Sequence, residues 1–193
     1  MLSYEESLKI LKETKALIDG HFILSSGLHS PKYIQCAQLL SNPTQASKIC
    51  HSLAEKIKNS FNDFDLILSP AMGGIIIGYE IGKILNKRTI FSERVNGKFL
   101  LRRDFKIVKN NKVLIIEDVI TTGKSSLECS ELAQVAGAKI VGYACIIDRS
   151  NGKSLINQKI ISQVELIIPT YKKDNLPKDL SLITAVKPGS RNL

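Results

Sequence analysis

The segment VLIIEDVITTGKSS, residues 113–126, carries the densest chemistry in the chain. An apolar run ends in two adjacent carboxylates, Glu117 and Asp118, and a turn of hydroxyls and glycine then leads into a helical pattern. In an open parallel sheet, ligands bind beyond the carboxyl ends of the strands, where the first turn of a helix offers unpaired N–H groups to a phosphate. Thr121, Thr122, Gly123, Lys124 and Ser125 stand where such a cradle forms. Gly123 permits the tight backbone, while the hydroxyls and Lys124 add donors. Gly-Lys-Ser at 123–125 invites a P-loop reading, but that pattern needs a glycine five residues earlier, and Asp118 stands there. A carboxylate pair beside the cradle repels a triphosphate. It suits a ligand with a phosphate at one end and ribose hydroxyls or a metal ion nearby.

Such a site needs a sheet whose strands end together, and the chain alternates accordingly. β-rich runs occur at DLILSP (65–70), RTIFSE (88–93), KVLIIED (112–118), KIVGYACIID (139–148) and VELIIP (164–169), with helical segments over 74–86 and about 124–136. Upstream, Ser3 and Glu6 have capping-box spacing, and Leu8, Leu11, Ala16 and Leu17 follow at helical intervals, predicting an amphipathic helix over about 3–18. HFILSSGLHSPKYIQC (21–36) predicts a hairpin or turn-rich stretch, and Asn42-Pro43 caps a helix running to about Lys58. Residues 94–111 fit neither period, and Asn96-Gly97 predicts a projecting β-hairpin with a mobile tip. If that hairpin is regular, Arg102 and Arg103 point to opposite faces. The polar-capped stretch from about Asn175 carries no clear period.

At 193 residues, 44% hydrophobic and 23% charged, the chain reads as one globular domain over 1–193. It has no run of the roughly 18 apolar residues that a membrane span needs. MLSYEESLKILKE is too acidic and amphipathic for a secretory signal, so a soluble, cytoplasmic protein is expected. Cys36, Cys50, Cys129 and Cys145 lie far apart with no CxxC, and only His21, His29 and His51 could join them. That spacing argues against a zinc site or disulfide framework and reads the cysteines as small, reduced apolar residues. The histidines read as surface or packing residues, Phe22 and Tyr33 as hood or interface core, and Lys172-Lys173 as a solvated pair. Lys and Arg number 27 against 18 Asp and Glu, a net charge of +9. This balance suits either nucleic acid or a pocket for a polyanionic small molecule. No helix-turn-helix, zinc finger or basic helix is evident, whereas the hairpin concentrates Arg94, Lys98, Arg102 and Arg103.

EDVITTG after an apolar strand resembles the signature of the type I phosphoribosyltransferase family, which binds 5-phosphoribosyl 1-pyrophosphate there. Three further segments resemble the orotate branch of that family. GHFILSSGLHS (20–30) is similar to the hood segment G-x-F-x-L-x-S-G-x-x-S, SPAMGG (69–74) to the pyrophosphate loop, and IDRS (147–150) to the orotate-binding strand end. With the hairpin, the likeness spans about 20–150. It implies an α/β fold of the type I phosphoribosyltransferase kind: a central, mainly parallel sheet flanked by helices, a small hood formed mainly by about 1–40, and the projecting hairpin.

The resemblance also implies transfer of phosphoribose to orotate, giving orotidine 5′-monophosphate and pyrophosphate in pyrimidine biosynthesis. Mg2+ is expected on the pyrophosphate and ribose of the donor, and a homodimer is expected in which the hairpin reaches the neighbouring active site. No nucleic-acid or membrane partner is implied. By the same likeness Glu117 and Asp118 hold the ribose hydroxyls, with Asp118 assisting charge development at C1. Met72, Gly73 and Gly74 belong to the pyrophosphate loop, and Thr121, Thr122, Gly123, Lys124 and Ser125 to the phosphate cradle, with Thr121 contacting phosphate or base. Arg149 grips the orotate carboxylate through two parallel hydrogen bonds, while Ser26 and Gly27 approach the base through backbone groups. Arg94 and Lys98 stabilise the departing pyrophosphate.

Some positions depart from the pattern. Many relatives carry a lysine where this chain has Ser25, and Tyr-Lys-Gly where it has Met72-Gly73-Gly74, so no lysine role is carried to those positions. The hairpin also lacks the histidine of the longer Arg-Lys-x-x-Lys-x-His loop and resembles a shorter-loop branch. A purine acceptor would leave Arg149 without a task. A donor-sensing nucleic-acid binder would keep the fold and lose the chemistry.

Overall fold

Ser3 opens the first helix, α1 (Tyr4–Glu13), by reciprocal capping. Its hydroxyl accepts from the Glu6 N–H at 3.1 Å, and the Glu6 carboxylate accepts from the Ser3 N–H at 2.7 Å. The computed structural model describes residues 1–188; the last five residues of the expected 1–193 domain lie outside the described residues. Helix α1 stops before the expected residue 18 because Lys15 turns to a φ of 57°. Ala16 and Leu17, which continue the apolar spacing, instead enter the buried start of strand β1 (Leu17–Ile23). This strand pairs antiparallel with β2 (His29–Ile34), the hairpin expected there.

A five-residue helix, α2 (Cys36–Leu40), follows, too short to show a period in the sequence. Asn42 caps α3 (Pro43–Ser60), accepting from the Gln45 N–H at 3.2 Å, with Pro43 at the first helical position as expected.

The sheet is then built by β3 (Leu66–Pro70), α4 (Gly73–Leu85), β4 (Arg88–Val95), β5 (Lys98–Leu100), β6 (Lys112–Ile120), α5 (Lys124–Val135), β7 (Lys139–Asp148) and β8 (Ile160–Glu165). Its order is β5-β4-β3-β6-β7-β8, parallel throughout except for β5, which runs antiparallel to β4. The last strand lies four residues earlier than the expected 164–169. Its polar Ser162-Gln163 pair hides the period, since Gln163 is buried and donates to the Ser7 hydroxyl at 2.8 Å. A 3-10 turn (Lys173–Asn175) and a short helix, α6 (Lys178–Ser181), follow.

Both faces of the central strands are covered, so β3 is buried along its whole length. Alternation sends Leu114 and Ile116 into a core with Ile49, Leu53, Ile57 and Ile77 of α3 and α4. It sends Val113 and Ile115 into a second core with Cys129 and Ala133 of α5. All four cysteines are buried and unpaired, as their apolar reading expects.

The hood draws on both parts of the chain. Ile23 N–H donates to the Val186 carbonyl and Val186 N–H to the His21 carbonyl, both at 2.8 Å, while His29 and Tyr171 exchange backbone bonds of 2.8 and 2.9 Å. His21 and His29 pack, but they also tie. His21 Nδ1 meets the Ile183 carbonyl at 2.8 Å and its Nε2 meets His29 Nδ1 at 2.6 Å. A carbonyl only accepts, so His21 donates from Nδ1, and a single hydrogen lies between its Nε2 and His29 Nδ1.

Candidate active site

Glu117 and Asp118 end β6, and as strand neighbours their side chains serve opposite faces of the sheet. Glu117 lies on the α5 side, where the Ser126 hydroxyl donates to its Oε2. Asp118 lies on the α4 side against Gly73, with the Cys36 thiol at 4.0 Å from its carbonyl. Burial pushes the Glu117 carboxyl up to about 7 and Asp118 adds to the rise, while the Ser126 hydroxyl and the Arg94 guanidinium oppose it. Burial also raises Asp118, against hydrogen bonds from the Val119 N–H and its own.

Two helices begin beside this pair, and both differ from the long helices α1 and α3. Helices α1 and α3 carry side-chain caps, and α1 has acidic residues in its first turn. Helices α4 and α5 have neither a side-chain cap nor an acidic residue in the first turn, and α5 starts on Lys124. The Lys124 N–H reaches the Thr122 hydroxyl at 3.4 Å and the Ile75 N–H the Met72 carbonyl at 3.2 Å; the other first-turn N–H groups and both dipoles are left for an anion. Thr121, Thr122 and Lys124 are exposed, Ser125 half-buried and Gly123 buried at the start of α5. Gly123 has a φ of +78°, and a Cβ there would meet Ser154 Oγ at 2.7 Å and Ile156 Cγ1 at 2.8 Å. At α4, Met72 and Gly73 are exposed and Gly74 is buried. A Cβ at Gly73 would stand 2.6 Å from Asp118 Oδ1, so any larger residue there would have to displace this carboxylate.

The hairpin turns at Asn96 and Gly97, whose φ values of 50° and 81° are those of a type I′ turn. Arg94 stacks 4.1 Å from the Phe99 ring centroid, donates to Glu128 at 2.5 Å and to the Gly97 carbonyl at 2.6 Å. Phe99 is buried and pairs with Arg94 across the strands, so both belong to the α5 face; Lys98 pairs with Val95 on the other face. The two charges do not converge within one chain.

The expectation that Arg102 and Arg103 diverge is corrected: both bind Glu93, at 3.1 and 2.6 Å. Strand β5 ends at Leu100, and Arg103 and Asp104 turn to positive φ, so alternation no longer applies. Lys98 alone of the four hairpin cations has no ion-pair partner among the described residues.

Arg149 follows β7 beside the end of β6, its N–H donating to the Ile120 carbonyl at 2.8 Å. Burial draws its guanidinium pKa down, and among the described residues that guanidinium has no carboxylate or hydrogen-bond partner. Asp148 accepts instead from the Ser150 N–H at 2.7 Å. Ser26 and Gly27 lie exposed at the tip of the hood hairpin, Gly27 at a φ of 80° with its N–H on the Leu24 carbonyl at 2.9 Å. No hydrogen bond among the described residues joins them to β6 or α5. Sequence reasoning missed Ser126, Glu128 and Glu93, which anchor Glu117, Arg94 and the arginine pair. The one available signal was a second serine after Gly-Lys-Ser.

The family described as Phosphoribosyl transferase domain matches residues 35–175. The orotate phosphoribosyltransferase of Parvibaculum lavamentivorans is 46% identical over the full length of both chains, and that of Maricaulis maris 41% identical over the full length of both. Among solved structures, orotate phosphoribosyltransferase from Aeropyrum pernix superimposes with a TM-score of 0.72 at 23% identity, covering 82% of this chain and 92% of that one. Sheet, paired carboxylates and uncapped helix starts thus coincide with full-length likeness, and the chain belongs to the orotate phosphoribosyltransferases within the phosphoribosyl transferase family.

Proposed function

We propose that the site transfers phosphoribose from 5-phosphoribosyl 1-pyrophosphate to N1 of orotate, releasing pyrophosphate. The observation that carries this reading is the carboxylate pair set between two uncapped helix starts. The 5′-phosphate suits the N–H groups of Thr122, Gly123 and Ser125 with Lys124 nearby, and the pyrophosphate suits the loop of Met72, Gly73 and Gly74. Glu117 and Asp118 then face the ribose between them. As the bond from C1 to pyrophosphate breaks, C1 acquires oxocarbenium character, which the Asp118 carboxylate stabilises. Arg149, half-buried and without a carboxylate of its own, suits the orotate carboxylate. Ser26 and Gly27 close over the base from the hood.

Among the described residues no three His, Cys, Asp or Glu side chains gather to hold a metal. A magnesium ion carried on the donor's pyrophosphate and ribose oxygens, beside Glu117 and Asp118, would offset charge growing on the leaving group. Arg94 stands on the Glu117 side for the same purpose. Lys98 faces the other way and suits the site of a second copy. A homodimer also accounts for the exposed stripe of Met72, Ile76 and Tyr79 next to the pyrophosphate loop. The four reduced cysteines fit the cytoplasm, and no described helix is long and apolar enough to cross a membrane.

The test is the loss of orotate absorbance with phosphoribosyl pyrophosphate and magnesium, beside matched reactions with hypoxanthine, guanine, adenine and uracil. Turnover with orotate alone is expected. Turnover with a purine instead would remove the role of Arg149, and donor binding without turnover on any base would favour a sensor.

A further inference from the structure

Ser126 is fully buried in the first turn of α5, at 0% exposure, yet its hydroxyl does not bond back along its own helix. The carbonyl four residues earlier, that of Thr122, accepts from the Leu155 N–H at 2.9 Å. The hydroxyl hydrogen goes instead to Oε2 of Glu117, leaving Oε1 without a partner among the described residues.

Around Glu117 the other groups offer little. Asp118 follows it on β6 and repels it; Arg94 of β4 attracts it but is held by Glu128 and the Gly97 carbonyl. Cys129 of α5 lies 2.9 Å from the Ser92 hydroxyl, and burial pushes its thiol up to about 12, so it stays neutral. Cys145 of β7 is likewise raised by burial. Ser126 is the one side chain hydrogen-bonded to this carboxylate among the described residues.

We propose that Ser126 is a positioning residue of the transfer, holding the Glu117 carboxylate in the orientation and charged form in which Oε1 accepts the ribose hydroxyls. The inference rests on the reading of Glu117 as the ribose acceptor. A neutral Glu117 would offer the ribose a weaker acceptor, and a free rotamer would aim it less often. Removing a hydrogen bond to a buried carboxylate favours its protonated form, so the loss falls on donor capture at neutral and acidic pH.

The test uses the intact enzyme with S126A, S126T and E117Q. Carboxyl carbons of glutamate are followed by NMR across pH without substrate, with E117Q identifying the signal, and kcat/KM for the donor is measured over the same range. In S126A the Glu117 midpoint is expected to rise by about one pH unit. The acid limb of kcat/KM for the donor should move with it, giving a loss of roughly tenfold near about pH 6.5 that shrinks near about pH 8.5. S126T, which keeps the hydroxyl, is expected to restore the limb, and the KM for orotate should stay put in both. An unmoved midpoint and limb in S126A overturn the inference. Full donor kcat/KM in E117Q overturns the ribose reading itself, which the titration in the absence of substrate distinguishes from the first result.

Discussion

Neighbours in sequence, Glu117 and Asp118 are strangers in environment: one faces α5 and its serine, the other Gly73 at the start of α4. Asp118→Asn keeps the shape and removes a charge that burial already disfavours. Turnover is therefore expected to fall about 10²-fold with little change in melting temperature, and an unchanged kcat in that variant would dismiss the role at C1. Glu117 also links folding to pH. Its carboxyl sits at about 7 in the fold against an ordinary 4.5. Between those values the folded chain binds a proton that the unfolded chain does not, so stability falls as pH rises through that window and levels off above it. Thermal melts should show a slope worth roughly 1–3 kcal/mol across the window, and E117Q should flatten it. The carboxylate pair was legible from residue types and spacing alone. The residues that hold its surroundings, Ser126 on Glu117, Glu128 on Arg94 and Glu93 on the arginine pair, were not, because a serine or glutamate bonded to a distant partner looks in sequence like any solvated one.

At the scale of elements, α5 begins where a glycine must turn left-handed and no side chain fits between it and Ser154 and Ile156. Gly123→Ala imposes both the strain and the collision, so it is expected to cost about 1–3 kcal/mol in chemical denaturation and to weaken donor binding more than orotate binding. Equal losses for both substrates would argue against a phosphate cradle there. The parallel sheet could be read because its strands are apolar runs buried on both faces. The end of α1 could not, since Ala16 and Leu17 satisfy a helical spacing while burying in a strand. Nor could β8, whose buried Gln163 pairs with Ser7 from a distant helix. The two arginines after the hairpin needed the fold as well, because the positive φ at Arg103 and Asp104 ends the alternation that would separate them.

At the scale of the molecule, one chain does not assemble the hairpin charges on one face. Arg94 turns to its own carboxylate side, and Lys98 turns outward. If dimers share sites, Lys98→Ala and Asp118→Asn enzymes, each weak alone, should complement when unfolded and refolded together. Random pairing leaves one intact site in each mixed dimer, so recovery of roughly a quarter of the wild-type activity is expected. Additive activity of the two would restrict Lys98 to its own chain.

The hood sheet has a temporal side. Its hairpin, residues 17–34, leaves the ribosome before its partners, since among the described residues its outer edges pair only with Tyr171 and Val186. At about 5–20 residues per second the hairpin waits roughly ten to thirty seconds for those partners, its unpaired edges open meanwhile to wrong pairing. The lid proposed for the base is begun first and completed last, so a nascent chain can build the proposed donor cradle before it can enclose an acceptor.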